Sequence, residues 1–456
     1  KYTEELFGEG YVFRAGTIGT VAENTAYRIV KNYYKDEIVP PVEIDRLAKE
    51  ITGVKRTSGQ HPGGVMIVPK TSSIYDFSPI QYPADKKSSG VITTHFDYNF
   101  LHGKILKLDI LGHDGPTIIK MLEDLTGLKS GDIYLDDKRT MSLFSSSEEL
   151  KMNKEIYECE TGTLGIPEFG TDFVKRMLIK TKPSTFSELV QISGLSHGTD
   201  VWTNNAEDLV DQGLAKLQDV ISTREDIMVY LIQAGAENKM AFFTMEKVRK
   251  GKGLTDEQRE IMEKLPLPSW YIGACEKIKY MFPKAHAVAY VMLSFRVAYY
   301  KLNYPLEYYA TYFTNKLTDF DIETISKGVG AMKEKLNELL QIKNPSQKEK
   351  GQRNTLEMTL EMYSRGIEFK FIDIYKSQAK TFVIEDGAIR VPFMAVPGLG
   401  EAIANSIVES SKENKYISVE DFINKTGATK AIVEMLRENN CFEGMQENNQ
   451  LSLFNF

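Results

Sequence analysis

A β-rich block lies between two helical regions of this sequence and limits the folds that the chain can adopt. Residues Lys55 to Leu111 contain two apolar strand patterns, Val65–Val68 and Ile105–Ile110, with turn-forming residues between them. Apolar residues at helical spacing predict helices on both sides, from Thr20 to about Thr52 and from Pro116 to about Lys316. These patterns predict a chain of mixed helices and strands.

Several boundaries can be placed within these regions. Pro40–Pro41 predicts a break between two helices, and GTLGIPEFG (Gly162–Gly170) and ISGLSHGTD (Ile192–Asp200) are predicted loops. Met332 to Arg353 is charged and predicts a Lys/Glu-rich helix followed by a polar linker, NPSQKEKGQ. The aromatic run from Tyr299 to Tyr309 is better explained by a hydrophobic core than by base stacking.

Length and composition narrow the class of protein. A chain of 456 residues predicts two to four domains, and 42% hydrophobic with 26% charged residues is typical of globular cores. No apolar run approaches the roughly 18 residues of a membrane span, and the first residues lack a signal-peptide core. Three isolated cysteines, Cys159, Cys275 and Cys441, argue against a disulfide framework or zinc cage and fit a reducing cytosol.

The net charge of −7 disfavours nucleic-acid binding by the chain as a whole. Whether part of the chain binds nucleic acid must therefore be judged from local clusters of basic residues. The chain begins with Lys1 rather than Met. We therefore expect it to be a fragment of a longer protein.

A carboxylate interrupts the apolar strand in KILKLDILGHDG, Lys104–Gly115. Asp109 has two interpretations: it caps the following turn, or it binds a metal ion from a rigid strand, as phosphoryl-transfer sites do. Lys107 is two residues earlier and so projects from the same strand face. A lysine in that position can stabilise a phosphate or give a proton to a leaving pyrophosphate.

The segment KRTSGQHPGGVMIVP begins the β-rich block with basic and small residues. Amides around Gly63–Gly64 form an anion-binding nest in one interpretation, and His61 donates to a phosphate. In the other interpretation, the segment is a tight turn before a strand and His61 only caps it.

Basic residues recur in the helical region. MEKVRKGKG carries Lys247, Arg249, Lys250 and Lys252, which suit either a solvated helix end or a phosphate contact. Arg224 follows Ser222, a candidate helix cap. In KIKYMFPKAHA, Tyr280, Lys284 and His286 are spaced to place a triphosphate and a base on one helix.

The sequence AVPGLGEAIANSIV, Ala395–Val408, predicts the hairpin of a helix-hairpin-helix. Gly398 and Gly400 would present backbone amides to a DNA phosphate at a helix N-terminus, although an ordinary turn is the alternative. Thr426 and Gly427 take the hairpin position in a degenerate second copy. The terminal NQLSLF is either a frayed tail or a short peptide that docks into another protein.

In this order, the segments resemble the PolC-type alpha subunit of bacterial replicative DNA polymerase III, the type of low-GC Gram-positive bacteria. The resemblance covers essentially the whole chain and indicates the C-terminal part of such a subunit. It rests on RAGTIGTVAE, VKRTSGQHPGGVMIVP, LKLDILGHDGPTIIKML, GIPEFGT, ELVQISGLSHGTDVW, DIMVYLI, VRKGKGLT, KIKYMFPKAHA and NQLSLF.

The resemblance implies a multidomain α+β fold with a polymerase β-like palm that carries three catalytic aspartates and two Mg²⁺ ions. Asp109 matches the third aspartate and Lys107 the active-site lysine. The first two aspartates lie in a PD-x-D motif upstream of Lys1, so this chain lacks them, as it lacks the PHP, exonuclease and OB domains. The implied domains are palm (1–21 and 55–118), small helical thumb (22–54), mainly helical fingers (119–320), duplex-binding domain with the helix-hairpin-helix (321–445) and clamp-binding tail (446–456).

The resemblance also implies roles for individual residues. The implied nucleotide-binding residues are His61, Ser196, His197, Arg224, Arg249, Lys250, Tyr280, Phe282, Lys284 and His286, with guanine-mimicking inhibitors acting near Tyr280 and Phe282. The implied DNA-binding residues are Lys55, Arg56, Gly398, Gly400, Thr426 and Gly427, and the sliding-clamp-binding residues are Gln450, Leu451, Ser452, Leu453 and Phe454.

The implied activity is DNA-templated transfer of dNMP to a primer 3′-hydroxyl, with pyrophosphate release by a two-Mg²⁺ mechanism. The implied partners are primer-template DNA, an incoming dNTP, the sliding clamp (beta) and the clamp loader of a cytoplasmic replisome, without a membrane. One alternative is a non-catalytic module that binds DNA and the clamp. Another is a family X repair polymerase, which is disfavoured because that group lacks these fingers motifs.

Overall fold

The structure is a computed structural model that describes residues 2–110, 112–413 and 415–449. Contacts divide the chain into two compact units, Lys1–His113 and Asp114–Phe456. Among the described residues, every helix is too short or too polar to span a bilayer. The predicted mixture of α and β structure is confirmed.

The first unit is built on a five-stranded sheet of order β3-β4-β1-β2-β5. Neighbouring strands are antiparallel except for the parallel pair β1 and β4. The strands are β1 (Val12–Thr20), β2 (Lys55–Ile67), β3 (Ile80–Gln81), β4 (Thr93–Asp97) and β5 (Leu106–Asp109), and the helices are α1 (Tyr2–Phe7), α2 (Glu23–Tyr33), α3 (Pro41–Ile51) and α4 (Tyr98–Leu101).

Helices α2 and α3 form an insertion between β1 and β2, as the sequence predicted. Their facing residues form a separate core of Ala26, Val30, Ile44 and Ala48. The amide of Gly53 donates to the carbonyl of Val21 (2.9 Å), and that of Val21 donates to Val54 (3.0 Å). The insertion is therefore closed where it leaves and rejoins the sheet.

The register between β2 and β5 positions the end of β5. Gly64 lies opposite Asp109, and Met66 lies opposite Lys107. Met66 is fully buried with Ala15, Leu101 and Ile105 in the small core of the sheet. Because this core fixes the register of β5, it also fixes which face presents Lys107 and Asp109.

The second unit is mainly helical and contains a three-stranded sheet of order β6-β8-β7. Its strands are β6 (Phe369–Lys370), β7 (Val383–Glu385) and β8 (Ala388–Arg390). Its helices are α5 (Asp114–Thr126), α6 (Lys138–Ser142), α7 (Asp172–Thr181), α8 (Phe186–His197), α9 (Glu207–Asp211), α10 (Arg224–Gln233), α11 (Asn238–Val248), α12 (Asp256–Glu263), α13 (Tyr271–Lys277), α14 (Lys284–Asn303), α15 (Pro305–Asn315), α16 (Ile322–Ile325), α17 (Val329–Leu340), α18 (Gln347–Ser364), α19 (Glu401–Glu413), α20 (Val419–Thr426) and α21 (Lys430–Glu438).

Helix α14 contributes to both hydrophobic clusters of this unit. Phe295 and Ala298 pack with α6 to α13, whereas Tyr300 packs with α15 and the C-terminal elements. Tyr300, Tyr308 and Tyr309 are almost fully buried, so the aromatic run is core, as predicted. The proposed domain limit at residue 320 stays a prediction.

Two predicted irregular segments are helical. The prediction of a loop over Ile192–Asp200 was wrong for Ile192–His197, because α8 continues through His197 and buries Ile192 and Leu195. The predicted linker NPSQKEKGQ was also wrong from Gln347 onwards. Ser346 and Glu349 form a capping box there, and this box begins α18.

Candidate active site

Asp109 and Lys107 form an ion pair at the end of β5. The Lys107 Nζ atom lies 3.0 Å from Asp109 Oδ1 and 3.2 Å from Oδ2. The lysine side chain is largely buried, whereas the aspartate side chain is half exposed. Strand alternation correctly predicted that the two share a face, and the exposed carboxylate remains accessible to a ligand.

His61 lies beside this pair, at an irregularity within β2 rather than in the predicted tight turn before the strand. Its Nδ1 accepts from the amides of Gly64 (2.7 Å) and Gly63 (3.2 Å), and the same atom is 4.0 Å from Asp109 Oδ1. These two amides therefore face the imidazole, which is the capping interpretation rather than an anion nest. A Cβ on Gly64 would approach the His61 ring to 2.9 Å and Lys107 Cε to 3.0 Å, so a larger residue there would displace one of these side chains.

Tyr98 completes this small site. Its ring packs edge-on against His61 at 4.9 Å, and Lys107 Nζ lies 4.4 Å from its centroid. A cation over an aromatic face is stabilised by the ring quadrupole. Tyr98 was missed in the sequence because it lies nine residues before Lys107, in the short helix α4.

The carboxylate chemistry at Asp109 fits a divalent cation only as one ligand of several. In residues 2–110, 112–413 and 415–449, no group of three or more His, Cys, Asp or Glu side chains is placed to hold a metal ion. Mg²⁺ takes six oxygen ligands and is usually held by one or two carboxylates together with phosphates and water. A metal at Asp109 therefore requires oxygen ligands beyond these side chains.

In the second unit, the segment Lys279–Pro283 joins the ends of three helices. The Tyr280 carbonyl accepts from the amide of Thr199, two residues after α8 (2.9 Å). The Met281 amide donates to the carbonyl of Arg249, just after α11 (3.2 Å), and the Phe282 carbonyl accepts from the amide of Arg224, which begins α10 (3.2 Å). Residues far apart in sequence therefore meet at the start of α14.

Four basic residues near this junction, Arg224, Arg249, Lys250 and Lys284, are paired with carboxylates. Lys284 Nζ donates to Asp226 (2.8 Å), and Arg224 Nε donates to Glu225 (2.8 Å). Glu246 accepts from Arg249 Nη2 (2.9 Å) and lies 2.8 Å from Lys250 Nζ. An anionic ligand would have to replace these intramolecular carboxylates.

The environment lowers the pKa of all three acids; for Glu225, burial is outweighed by hydrogen bonds from Arg224 and the Lys284 amide. Hydrogen bonds from Arg249 and Lys250 lower the pKa of Glu246 to about 2. Burial is the largest influence on Asp226 and opposes its ionisation. The Lys284 ammonium and hydrogen bonds from Ser222 and Thr223 outweigh burial and lower its pKa. All three groups are therefore negative at neutral pH.

His197, at the last turn of α8, connects this cluster with an aromatic surface. Its ring stacks on Phe282 with centroids 4.9 Å apart and planes at 21°, and Phe282 packs edge-on against His286 at 4.6 Å. Ser196 lies beside it, with Oγ 3.2 Å from His197 Nδ1. Lys284 and His286 are exposed, as is 46% of Tyr280.

The acidic partners were missed by sequence reasoning, although two had a local signal. Asp226 is the third residue after Thr223, the spacing of a capping box, and Glu246 precedes Arg249 and Lys250 by three and four residues. The cap of α10 is Thr223 rather than the suggested Ser222, whose hydroxyl donates to Asp226 (2.6 Å). Glu168, the partner of His197, is 29 positions away and had no such signal.

The predicted hairpin exposes its glycines and buries its apolar residues. Gly398 has φ +79° and, with Gly400, is exposed, whereas Val396 and Leu399 are buried. Helix α19 begins directly afterwards, so its first amides point out beyond the hairpin.

The other predicted DNA-binding positions differ in exposure. Gly427 is exposed in a left-handed turn after α20, whereas Thr426 is buried and its hydroxyl donates to the Phe422 carbonyl (2.7 Å). Lys55 and Arg56 are exposed at the start of β2.

The clamp-binding residues predicted in the tail, Gln450 to Phe454, lie outside the described residues. The chain immediately before them is held in place. The amide of Asn449 donates to Glu420 (3.0 Å), and its side-chain oxygen accepts from Ser418 (2.6 Å).

Three family models match the sequence. They are described as the bacterial DNA polymerase III alpha NTPase domain (residues 35–112), the bacterial DNA polymerase III alpha subunit finger domain (115–265) and a helix-hairpin-helix motif (366–451).

Curated relatives match the chain over its whole length. A protein named DNA polymerase III PolC-type from Caldanaerobacter subterraneus subsp. tengcongensis is 54% identical over 100% of this chain and 33% of its own length. Proteins of the same name from Clostridium perfringens and Halalkalibacterium halodurans are 54% and 53% identical over 100% and 99% of this chain. The chain spans about a third of the length of these relatives. It therefore belongs to the PolC-type DNA polymerase III family.

Proposed function

We propose that this chain is part of a DNA-templated DNA polymerase that adds dNMP to a primer 3′-hydroxyl and releases pyrophosphate. The observation that carries the proposal is the Asp109–Lys107 pair at the exposed end of β5. The pair lies in a chain more than half identical to proteins named DNA polymerase III PolC-type.

In this proposal, Asp109 is one ligand of the divalent ions, taken to be two Mg²⁺. Bound metal would lower the pKa of the attacking hydroxyl and neutralise phosphate charge. Metal bound at Asp109 would free Lys107 from its ion pair. The Lys107 ammonium, which lies over the Tyr98 ring, would then be able to stabilise charge on the phosphate or give a proton to the departing pyrophosphate.

The helical unit supplies cations for a triphosphate. Arg224, Arg249, Lys250 and Lys284 would exchange their carboxylate partners for phosphate oxygens, whose geometry suits the guanidinium fork. The Phe282 surface, with Tyr280 and His286 beside it, would contact the base or a guanine-mimicking inhibitor. Ser196 is a further nucleotide-binding candidate of this unit, and His61 is one beside Asp109 in the first unit. Template pairing, rather than side chains, would choose the nucleotide.

The remaining elements would hold DNA and the replisome. The exposed amides at Gly398 and Gly400 suit duplex phosphates without reading sequence, with Lys55, Arg56, Thr426 and Gly427 as further DNA contacts. Gln450–Phe454 would bind the sliding clamp, next to a clamp loader in the cytoplasm. The architecture is then palm (1–21, 55–118), thumb (22–54), fingers (119–320), duplex-binding domain (321–445) and tail (446–456).

Primer extension by the intact polymerase that contains this chain tests the proposal. Asp109→Asn should slow extension by at least about 100-fold, which corresponds to about 2.7 kcal/mol in the barrier. Asp124→Asn is the matched control, because Asp124 is an exposed partner of Lys120 one turn earlier on α5. Extension by Asp109→Asn at the control rate would contradict the catalytic role.

A non-catalytic DNA- and clamp-binding module is the second candidate. It is favoured by the single carboxylate that the described residues bring to Lys107, together with the well-formed hairpin. DNA-binding measurements on the same variants separate the two. The polymerase proposal expects Asp109→Asn to bind primer-template normally while extension is lost.

A further inference from the structure

The segment Gly162–Gly170, which connects α6 and α7, is tied to α14 at three carbonyls. Lys301 Nζ donates to the carbonyls of Gly162 (2.9 Å) and Leu164 (2.7 Å), and Ser294 Oγ donates to that of Pro167 (2.9 Å). Lys301 is fully buried and also pairs with the buried Glu361 at 2.8 Å. A buried charge that satisfies backbone carbonyls holds a loop in one conformation, because leaving any of these groups unpaired is costly.

Glu168 occupies an unusual backbone position on this loop. Its φ is +66°, in the left-handed region that costs a non-glycine residue about 1–2 kcal/mol. The neighbouring carbonyl of Pro167 is the one that Ser294 binds. The strained backbone is thus held by its attachment to α14, and it directs the Glu168 side chain towards α8.

The Glu168 carboxylate meets His197 at short range. His197 Nε2 lies 2.6 Å from Glu168 Oε2, and His197 Nδ1 lies 2.7 Å from the Ser193 carbonyl. Both ring nitrogens therefore face oxygen atoms, and a positive imidazolium satisfies both by donating two protons. The hydrogen bond with Glu168 raises the pKa of His197, although burial acts in the opposite direction.

The imidazolium in turn supports Phe282. Its ring lies almost flat against the Phe282 ring, and His286 packs edge-on against Phe282. The charged and titratable groups around His197 are Glu168 from the loop and, beyond Phe282, His286 from α14. Helix α8 itself contributes the Ser196 hydroxyl and the Ser193 carbonyl.

We propose that Glu168 is a positioning residue, which holds His197 flat against Phe282 and so fixes the aromatic surface for a nucleotide base. The role rests on the proposed polymerase function. It adds to that function that Glu168, in the Gly162–Gly170 loop, sets the orientation of the Phe282 ring that would contact the base. Neither the phosphates nor the primer would contact Glu168 directly.

The first experiment needs no activity. The six histidines are followed by NMR titration in the chain, and His197→Gln identifies the resonance of His197. Glu168→Gln keeps an acceptor but removes the charge that raises the pKa of His197, so the His197 midpoint should fall towards the ordinary histidine value of about 6.5. Glu158→Gln, an exposed partner of Lys154, is the matched control and should leave it unchanged. An unchanged midpoint in Glu168→Gln would overturn the proposal.

The second experiment uses the intact polymerase. Glu168→Gln should raise KM for dNTP several-fold with kcat nearly unchanged, and the Glu168→Gln/His197→Gln double variant should be no worse than His197→Gln. A lowered midpoint with an unchanged KM overturns the positioning role. A wild-type protein that extends no primer would instead contradict the proposed function. If Glu168→Gln does not fold, the wild-type polymerase is tested instead. Its KM for dNTP should rise as the pH increases through the His197 midpoint.

Discussion

The buried pair Lys301 and Glu361 allows a stability prediction whose size follows from the structure. Both side chains are fully buried, and Lys301 Nζ donates to Glu361 and to two carbonyls of the Gly162–Gly170 loop. Lys301→Met removes these bonds and leaves the Glu361 carboxylate with the Tyr309 hydroxyl, which donates at 2.8 Å. Breaking a buried pair by removing one partner costs about 3–5 kcal/mol.

A second argument gives a similar value for the loss of stability in Lys301→Met and predicts that this loss depends on pH. The unpaired carboxyl can be neutralised by a proton, which for an ordinary glutamic acid costs about 1.4 kcal/mol per pH unit above about 4.3, or roughly 3.7 kcal/mol at pH 7. Because the folded variant then binds a proton that the unfolded chain does not, its stability decreases as pH rises. We expect a loss of about 4 kcal/mol at pH 7 and a smaller loss at pH 5.

Urea unfolding followed by tryptophan fluorescence measures this loss. Both tryptophans, Trp202 and Trp270, lie in the second unit and therefore report on the unit that contains the pair. Glu361→Leu combined with Lys301→Met removes both charges and should be less destabilised than Lys301→Met alone.

The control is Lys335→Met, whose exposed partner is Glu338. This change should alter the free energy of unfolding by less than about 1 kcal/mol. A loss below about 1 kcal/mol for Lys301→Met, or a double variant as unstable as that single variant, would refute the reasoning.

Four further predictions concern the proposed ligand sites and their ion pairs. Glu246→Gln should tighten dNTP binding about 2- to 5-fold in calorimetry, because it removes a carboxylate that competes for Arg249 and Lys250; equal affinity would argue against partner exchange. The pKa of Glu246 is lowered to about 2, so its ion pairs stabilise the fold above about pH 4.5 and are lost as the pH falls through 2. The urea midpoints of Glu246→Gln and of the wild type should therefore converge in strong acid. Gly398→Ala should lower stability by about 1–2 kcal/mol and weaken duplex binding, whereas Gly400→Ala, at a position without positive φ or close neighbours, should do neither. Deleting Gln450–Phe456 should shorten products only when the clamp is present; equal loss without the clamp would contradict a tether, and Asn449 is kept because it contacts Ser418 and Glu420.

Local patterns predicted the elements whose signals lie within a few residues. The two helices of the insertion, the strands ending at Ile67 and Asp109, and the hairpin before α19 follow from apolar spacing, Pro40–Pro41 and the glycines of VPGLG. Such signals act through backbone conformation and nearest neighbours, so a sequence pattern is sufficient to find them.

The wrong predictions at ISGLSH and NPSQKEKGQ came from giving composition more weight than helix caps. Gly194 and its neighbouring serines in ISGLSH are typical of a loop, yet the capping box of Thr185 and Glu188 begins α8, and burial of Ile192 and Leu195 carries it through His197. In NPSQKEKGQ, the polar composition predicted a linker although Ser346 and Glu349 already matched a capping box.

In the candidate site, some features follow from neighbouring residues and others only from contacts between distant parts of the sequence. Alternation along β5 is enough to place Lys107 and Asp109 on one face, since successive side chains of a strand point to opposite sides. The pairing of Lys284 with Asp226 joins positions 58 apart, and that of Lys301 with Glu361 joins positions 60 apart. No local rule pairs such residues.

By itself, the sequence determined the order of sheet and helices, the family, and the residue types able to bind phosphate and metal. Only the tertiary structure decided that the basic residues at the start of α14 are held by acids, and that Glu168 supports His197. The physical reason is that charge pairing depends on distances of about 3 Å between side chains. Those distances are set by how helices α8, α10, α11 and α14 pack, and not by their spacing along the chain.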